Sequence, residues 1–299
     1  MENSHSNLGG VNAAPPVSDP ELIQAAGDLP RMLQARFYFW APLPAGLSEQ
    51  IGLDPRTIRR LDAIDVVVTE VGDKHFGILV SSRNRTVLHR RDGVLADLQR
   101  LLQGADATIK IDRRSSHLQL EDPDIFLWLT VQQRDRDQLA PDLILDAVSG
   151  ISGRDASART ADLRAGVDFS RPNFLTAVAE ADTLGPIEIA FIQAIGAERR
   201  AFALKLHVDG GFTIQSSDIH LPDVMGTEEK MLTAALFLAF SLVPRINSLY
   251  VADAAAWSAR RVEIINAAMD ELEERYRRAK RALQERVQTA PKLTPDAIG

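Results

Sequence analysis

The sequence has no cysteine among its 299 residues, and this absence excludes several kinds of chemistry. Without a thiolate there is no cysteine nucleophile, no cysteine-based zinc site, no iron–sulfur ligation and no disulfide framework. Basic residues are outnumbered by acidic ones, 34 to 41, which gives a net charge of −7. This balance excludes a surface that is basic throughout, although it is compatible with a local basic patch.

Long hydrophobic runs are also missing. The longest apolar run, residues 231–243, stops at Pro244 and Arg245. It is shorter than the about 20 residues that cross a bilayer, so we expect a buried core helix there. Residues 1–20 are rich in Asn, Ser, Gly, Ala and Pro and have no basic stretch before an apolar one. They predict a disordered tail rather than a secretory signal, and we therefore expect a cytoplasmic protein that binds no membrane.

The apolar pattern predicts an α+β fold with two small antiparallel sheets packed with helices, plus a long C-terminal amphipathic helix. In the first half, strands are expected at 36–40, 66–71, 76–80, 107–112, 117–121 and 125–131, and helices at 20–26, 54–62, 93–103 and 141–149. In the second half, we expect helices at 172–184 and from Thr227, and strands at 187–195, 200–209 and 212–221.

These elements predict a division into domains. The expected segments are an N-terminal α+β domain at 21–149, a linker or mobile loop at 150–171, a C-terminal α+β domain at 172–246, a long assembly helix at 247–287 and a tail at 288–299.

The strongest pattern lies in residues 247–287, which contain neither glycine nor proline. A continuous helix of that length would extend about 60 Å, longer than a domain of this size can cover. Apolar residues there step by three and four positions, the spacing of a coiled-coil seam over three heptads. This seam consists of Val262, Ile265, Met269, Leu272, Tyr276, Ala279 and Leu283.

Charge is segregated along the same helix. Residues 263–274 contain five acidic residues and no base, and residues 275–286 contain six basic residues and one acid, Glu285. Two copies laid antiparallel would pair acidic halves with basic halves, whereas a parallel pair would bring like charges together. The pattern predicts an antiparallel homodimer. Two alternatives stay open: the seam packs on the protein's own body, or the basic end binds nucleic acid.

The order helix, three strands, helix over residues 172–243 is similar to the core of restriction-endonuclease-like enzymes. The resemblance implies that Glu180, Asp209 and Asp218 are candidate catalytic carboxylates. It covers topology alone, because His220 stands where such cores have lysine and Lys205 lies on another strand. His207 and His220 are expected about 13 Å apart along neighbouring strands, too far to share a metal ion. We predict neither a metal nor a cofactor.

Arginine-rich loops supply the other candidate site. If the two loops open on one edge of the first sheet, they form a cationic patch that could hold phosphates. The alternative is that these arginines are solvated and pair with acids such as Asp92 and Asp112. The loop residues are Arg83, Arg85, Arg90, Arg91, Arg113 and Arg114.

The sequence as a whole favours a non-enzymatic binding or assembly component that self-associates through its C-terminal helix, with further protein partners left open. The seam is clear, whereas no catalytic motif is intact. The alternative is a nucleic-acid-binding protein that uses the arginine-rich loops, with a degenerate nuclease core.

Overall fold

A computed structural model of the chain describes most of its length. The described residues are 8–10, 14–26, 29–43, 52, 58–72, 75–82, 85–89, 93–112, 116, 118–120, 122–154, 160–164, 172–179, 184–196, 198–222 and 224–289. The chain divides into two compact units, one made of residues 1–118 with 236–241 and the other of residues 119–235 with 242–299. The fold is α+β, with two antiparallel sheets, helices and a long C-terminal helix, as the sequence predicts.

The first unit contains a five-stranded antiparallel sheet built around one long strand. This strand, β4, pairs with β3 along one side and with β1 and β5 along the other, and β2 extends the sheet beyond β3. The strands are β1 (Leu8–Gly10), β2 (Glu21–Ile23), β3 (Met32–Pro42), β4 (Ile58–Gly72) and β5 (His75–Val80). The predicted hairpin at 66–80 is therefore confirmed.

Two helices, α1 (Arg85–His89) and α2 (Val94–Ala105), contribute to the core of this unit. Ile64 and Val66 of β4 pack with Leu88 and Val94 in one buried cluster. Phe37 and Phe39 of β3 pack against this cluster. The four consecutive aromatic residues of β3, at positions 37–40, are all only half-buried. The aromatic run is a strand as predicted, although neither of its faces is fully covered.

Five predictions for residues 1–121 are wrong. Residues 21–23 and 58–62 are strands rather than helices, and Leu8–Gly10 of the predicted tail pairs with β4. Residues 107–112 and 118–120 are turns and irregular backbone rather than strands. Residues 8–10, 21–23 and 58–62 have weak intrinsic preferences, and pairing with neighbouring strands decides their conformation.

The second unit contains a six-stranded antiparallel sheet in the order β11-β10-β9-β7-β6, with β8 also paired to β7. The strands are β6 (Gln138–Ala140), β7 (Leu143–Arg154), β8 (Thr160–Arg164), β9 (Leu184–Ile195), β10 (Glu198–Leu206) and β11 (Phe212–Ile214). Alternate residues of β9 and β10, such as Ile187, Ile189, Phe191 and Phe202, are buried, as expected for strands with one face in a core.

Strand β7 replaces a predicted helix at 141–149 and part of the predicted linker at 150–171. It pairs with β9 from Leu143 to Gly153 and with β8 from Gly150 to Arg154. The division between the two units therefore lies at 118/119 rather than in residues 150–171. The glycines and polar residues at 150–154 belong to a bulged strand, where the register shifts allow such residues.

Helix α3 (Ile125–Asp135) replaces a predicted strand at 125–131. Its residues from Ile125 to Gln132 are all buried, so the run shows no helical periodicity. The start signal precedes it: Asp122 Oδ1 accepts a hydrogen bond from the Asp124 N–H at 2.9 Å. An uninterrupted apolar run of this length does not distinguish a strand from a buried helix.

The remaining helices follow the sequence prediction closely. Helix α4 (Pro172–Ala179) precedes β9, and α5 (Thr227–Phe237) follows the β9–β11 meander. A π-helical segment at Leu238–Leu242 joins α5 to α6 (Val243–Thr289), which has 47 residues and includes the whole predicted assembly helix.

One helix in the described part of the chain, Glu229–Gln288, is long and apolar enough to cross a membrane by length and composition. Its most apolar 18-residue window has a mean hydropathy of 1.5, and 44% of that window is buried. The core helix of a soluble protein meets the same criteria. Leu238, Ala239, Leu242 and Val243 are each at most 1% exposed, which is the burial expected of a core helix.

Candidate functional site

Helix α6 is held at its first half by ion pairs to both ends of α3. Arg261 pairs with Asp124 at the start of α3, and Arg260 pairs with Asp135 at its end. Because two adjacent residues of α6 reach opposite ends of an 11-residue helix, α3 lies across α6 rather than beside it.

Hydrogen bonds of buried polar groups also hold α6 against α3. Asp253 Oδ2 accepts a hydrogen bond of 2.8 Å from Trp128 Nε1 and one of 3.3 Å from Gln132 Nε2. The Tyr250 hydroxyl donates to Asp122, and burial, together with this hydrogen bond, raises the pKa of Tyr250. The rings of Tyr250 and Trp128 meet edge to face, with centroids 5.7 Å apart. These contacts orient α6 relative to the sheet of its own unit.

A further pair lies at the start of α6. The two terminal nitrogens of Arg245 donate to the two carboxylate oxygens of Asp142, one of them at 2.7 Å. The hydrogen bonds from Arg245 lower the pKa of Asp142, and its charge adds to that effect. Such bidentate pairs fix orientation more strongly than single contacts.

The predicted seam lies beside these anchors around α6, because Ile265 is one helical turn from Arg261. Val262, Met269, Tyr276 and Leu283 are 55%, 53%, 69% and 62% exposed, and Ala279 is exposed as well. Ile265 and Leu272 are half-buried. Large apolar side chains with this exposure at seven-residue intervals are typical of a surface that binds another helix.

A neighbouring face of α6 packs within its own unit. Trp257 and Ala268 are buried, and α4 packs along this part of α6. Val262 and Ile264 differ by two positions, which places them about 160° apart around the helix. The same segment of α6 is therefore fixed on one face and exposed on the other.

The charge boundary of α6 is bridged by ion pairs within the helix. Glu271, Glu273 and Glu274 accept hydrogen bonds from Arg275, Arg277 and Arg278, four positions later, at 2.7, 2.7 and 3.2 Å. The Glu271–Arg275 hydrogen bond lowers the pKa of Glu271. Glutamate placed before arginine at this spacing supports a helix, here in a region where α6 has few buried side chains.

The nuclease candidates do not converge in the described structure. Asp209 Oδ1 accepts the Gly211 N–H at 3.0 Å, so this side chain shapes the β10–β11 turn. Asp218 lies in a single 3₁₀ turn at Ser216–Asp218, off the strand ladder, and Glu180 lies outside the described residues. Among the residues that are described, no group of three or more His, Asp or Glu is placed to hold a metal ion.

The two histidines are farther apart than the sequence predicts. His220 pairs with Ala201 of β10, which is six positions from His207 along that strand. At 3.3 Å per residue the separation is about 20 Å, which excludes a shared ion.

The arginine-rich loops lie largely outside the described residues. This holds for Arg83, Arg90, Arg91, Arg113 and Arg114, and Arg85 is described only as the first residue of α1. Nucleic-acid binding by these loops stays a prediction.

Two shallow grooves flank α6 in the second unit. One, of about 340 Å³, is lined mainly by apolar residues of α4 and α6, including Phe174, Val178 and Ala267. The other, of about 230 Å³, lies beside Trp128 and Asp253. Asp253 is already hydrogen-bonded, and Arg260 at the rim of the first groove is paired with Asp135. The first groove is mainly apolar, whereas the second also carries the polar side chains of Gln132, Arg136, Gln138 and Asp253.

The anchoring residues of α6 were not predicted from the sequence. A signal for them exists: Tyr250, Trp257 and Ile264 recur at seven-residue intervals on a second face of the helix. The partners Asp122, Asp124 and Asp135 have no such signal, because the segment around them resembled a strand. No protein-family model and no curated protein matches the sequence of this chain.

Proposed function

We propose that the protein is a non-enzymatic cytoplasmic assembly component that self-associates through the C-terminal half of α6. The observation that carries the proposal is the exposed seam, whose four positions Val262, Met269, Tyr276 and Leu283 are all more than half exposed. Burial of such side chains in a partner is favourable by roughly 25 cal/mol for each Å² of apolar surface removed from water.

The anchoring of α6 supports this proposal. An assembly helix needs a fixed base, because flexibility at the base adds to the entropy lost on binding. The ion pairs of Arg260 and Arg261 with α3 and the Trp128–Asp253 hydrogen bond supply such a base. Exposure of the seam also weighs against the alternative in which it packs on the protein's own body.

The proposal is tested with Tyr276→Asp combined with Leu283→Asp. Both side chains are exposed in the single chain, so the substitutions should leave its stability nearly unchanged. In a symmetric dimer they would bury four unpaired carboxylates, and we expect the dissociation constant to rise by at least about 100-fold. Sedimentation equilibrium measures this constant directly.

The matched control is Gln284→Asp combined with Gln288→Asp. These positions are also exposed and add the same charge to the same end of α6, but they lie off the seam. The control should associate much like the wild type. Equal association of the control and the seam variant would contradict the proposal.

A further inference from the structure

We propose that two copies pair antiparallel in one register, centred on Glu274. This inference rests on the proposed self-association and adds the alignment of the two helices. In that register Leu272 of one copy faces Tyr276 of the other, Met269 faces Ala279, and Ile265 faces Leu283. Each of these pairs lies at equal distances on either side of residue 274.

The apolar seam limits the choice of register. In an antiparallel pair, the first heptad position of one helix faces the fourth heptad position of the other. A shift by one heptad along one helix therefore moves the centre of the pair by 3.5 residues. A centre between 277 and 278 would place Met269 opposite Arg286. A centre between 270 and 271 would leave Leu283, which is 62% exposed, without a partner. The Glu274 register gives six apolar layers, as does the centre between 270 and 271, and it places Val262, which is 55% exposed, opposite Arg286.

Between these two alignments, the distribution of charge along α6 favours the Glu274 register. The acidic residues at 263–274 and the basic residues at 275–286 meet at the boundary between 274 and 275. A pair centred on Glu274 therefore sets each acidic half against the basic half of the other copy. Displacement in either direction would shorten this overlap.

The ion pairs within α6 make the centre of this register tolerable. Glu273 flanks the central layers and approaches its counterpart across the two-fold axis. Arg277 binds Glu273 at 2.7 Å within each copy, and Arg275 in turn binds Glu271. The like charges nearest to the axis are thus partly neutralised before the two copies meet.

The absence of cysteine allows the register to be read by disulfide formation. Leu272→Cys and Tyr276→Cys are made in two copies that carry tags of different size, mixed and oxidised. Disulfides form only where the two Cα atoms lie within about 7 Å. We expect the mixed pair to cross-link and each variant alone to remain largely uncross-linked. Met269→Cys mixed with Ala279→Cys provides an independent second pair with the same expectation.

Other outcomes would overturn the inference in distinguishable ways. Cross-linking of Leu272→Cys with itself would indicate a parallel pair. Cross-linking of Leu272→Cys with Met269→Cys or Leu283→Cys, but not with Tyr276→Cys, would indicate a shifted register while leaving self-association intact. A wild-type chain that stays monomeric in sedimentation equilibrium would remove the proposed function itself.

Discussion

Asp253 is the residue on which the position of α6 depends most directly. Its carboxylate accepts from Trp128, which is 3% exposed, and from Gln132, which is 4% exposed. A donor left unpaired in such a place loses its hydrogen bond and does not regain one to water.

We therefore expect Asp253→Ala to lower the free energy of unfolding by about 1–3 kcal/mol. Asp253→Asn keeps an acceptor oxygen at this position and should cost less. Urea denaturation followed by tryptophan fluorescence measures both variants. A loss as large in Asp253→Asn as in Asp253→Ala would show that the acceptor is not what matters.

The ion pair of Asp142 with Arg245 makes part of the stability of the fold depend on pH. The folded protein holds the pKa of Asp142 below its ordinary value through the hydrogen bonds from Arg245. A carboxyl with a lowered folded-state pKa stabilises the fold above its ordinary pKa, and this contribution disappears as the pH falls through the lowered value.

Arg245→Gln should therefore lower the free energy of unfolding at neutral pH, and its difference from the wild type should become small in acid. Urea unfolding of wild type and variant from pH 7 down to pH 2 should give a difference that narrows below about pH 4. Arg31→Gln, in an exposed pair with Glu70 away from α6, is the control with little effect at any pH. A difference between wild type and Arg245→Gln that is constant with pH would contradict this account.

At the scale of elements, sequence pattern predicted long amphipathic segments and failed on short or fully buried ones. The continuous helix over 247–287 and the strands β9 and β10 have strong periodicity and are present, whereas the third predicted strand, at 212–221, is present only at Phe212–Ile214. Helix α3 and strand β7 were exchanged in type, because burial on all sides hides the helical period in α3 and register shifts interrupt the strand period in β7. The seam could be predicted because solvent on one face preserves its pattern. The residues of α3 that anchor α6 could not be predicted, since their partners in α6 are distant in the sequence.

Helix α6 should consequently differ in protection along its length. Residues 243–268 include buried side chains fixed by α3 and α4, whereas residues 277–288 are exposed. In hydrogen exchange we expect slow exchange in the first segment at any concentration. Residues 269–283 should become more protected as protein concentration rises, because their amides are shielded on pairing. Helix α3 is the reference, because its exchange rates should not change with protein concentration. Exchange at 276–283 that is also independent of concentration would contradict pairing through this segment.

At the scale of the whole molecule, an antiparallel pair of charge-segregated helices predicts a particular response to salt. Opposite charges attract over a range of about 10 Å at 0.1 M salt and about 3 Å at 1 M. Raising NaCl across that interval should weaken the dimer by roughly threefold to tenfold, the size of a few exposed ion pairs. Sedimentation equilibrium at several salt concentrations measures this. A dimer strengthened by salt would indicate like charges in contact, as in a parallel pair.

The exposed seam of α6 predicts above all that this chain associates with a second copy of itself. Light scattering coupled to size exclusion, over a range of loading concentrations, measures it most directly, with the 260/280 nm absorbance ratio recorded alongside. We predict a mass that approaches twice 32.9 kDa as concentration rises, with a protein-like absorbance ratio. A constant mass of 32.9 kDa at every concentration would contradict the account. An absorbance ratio typical of bound nucleic acid would instead favour the arginine-rich loops as the functional surface.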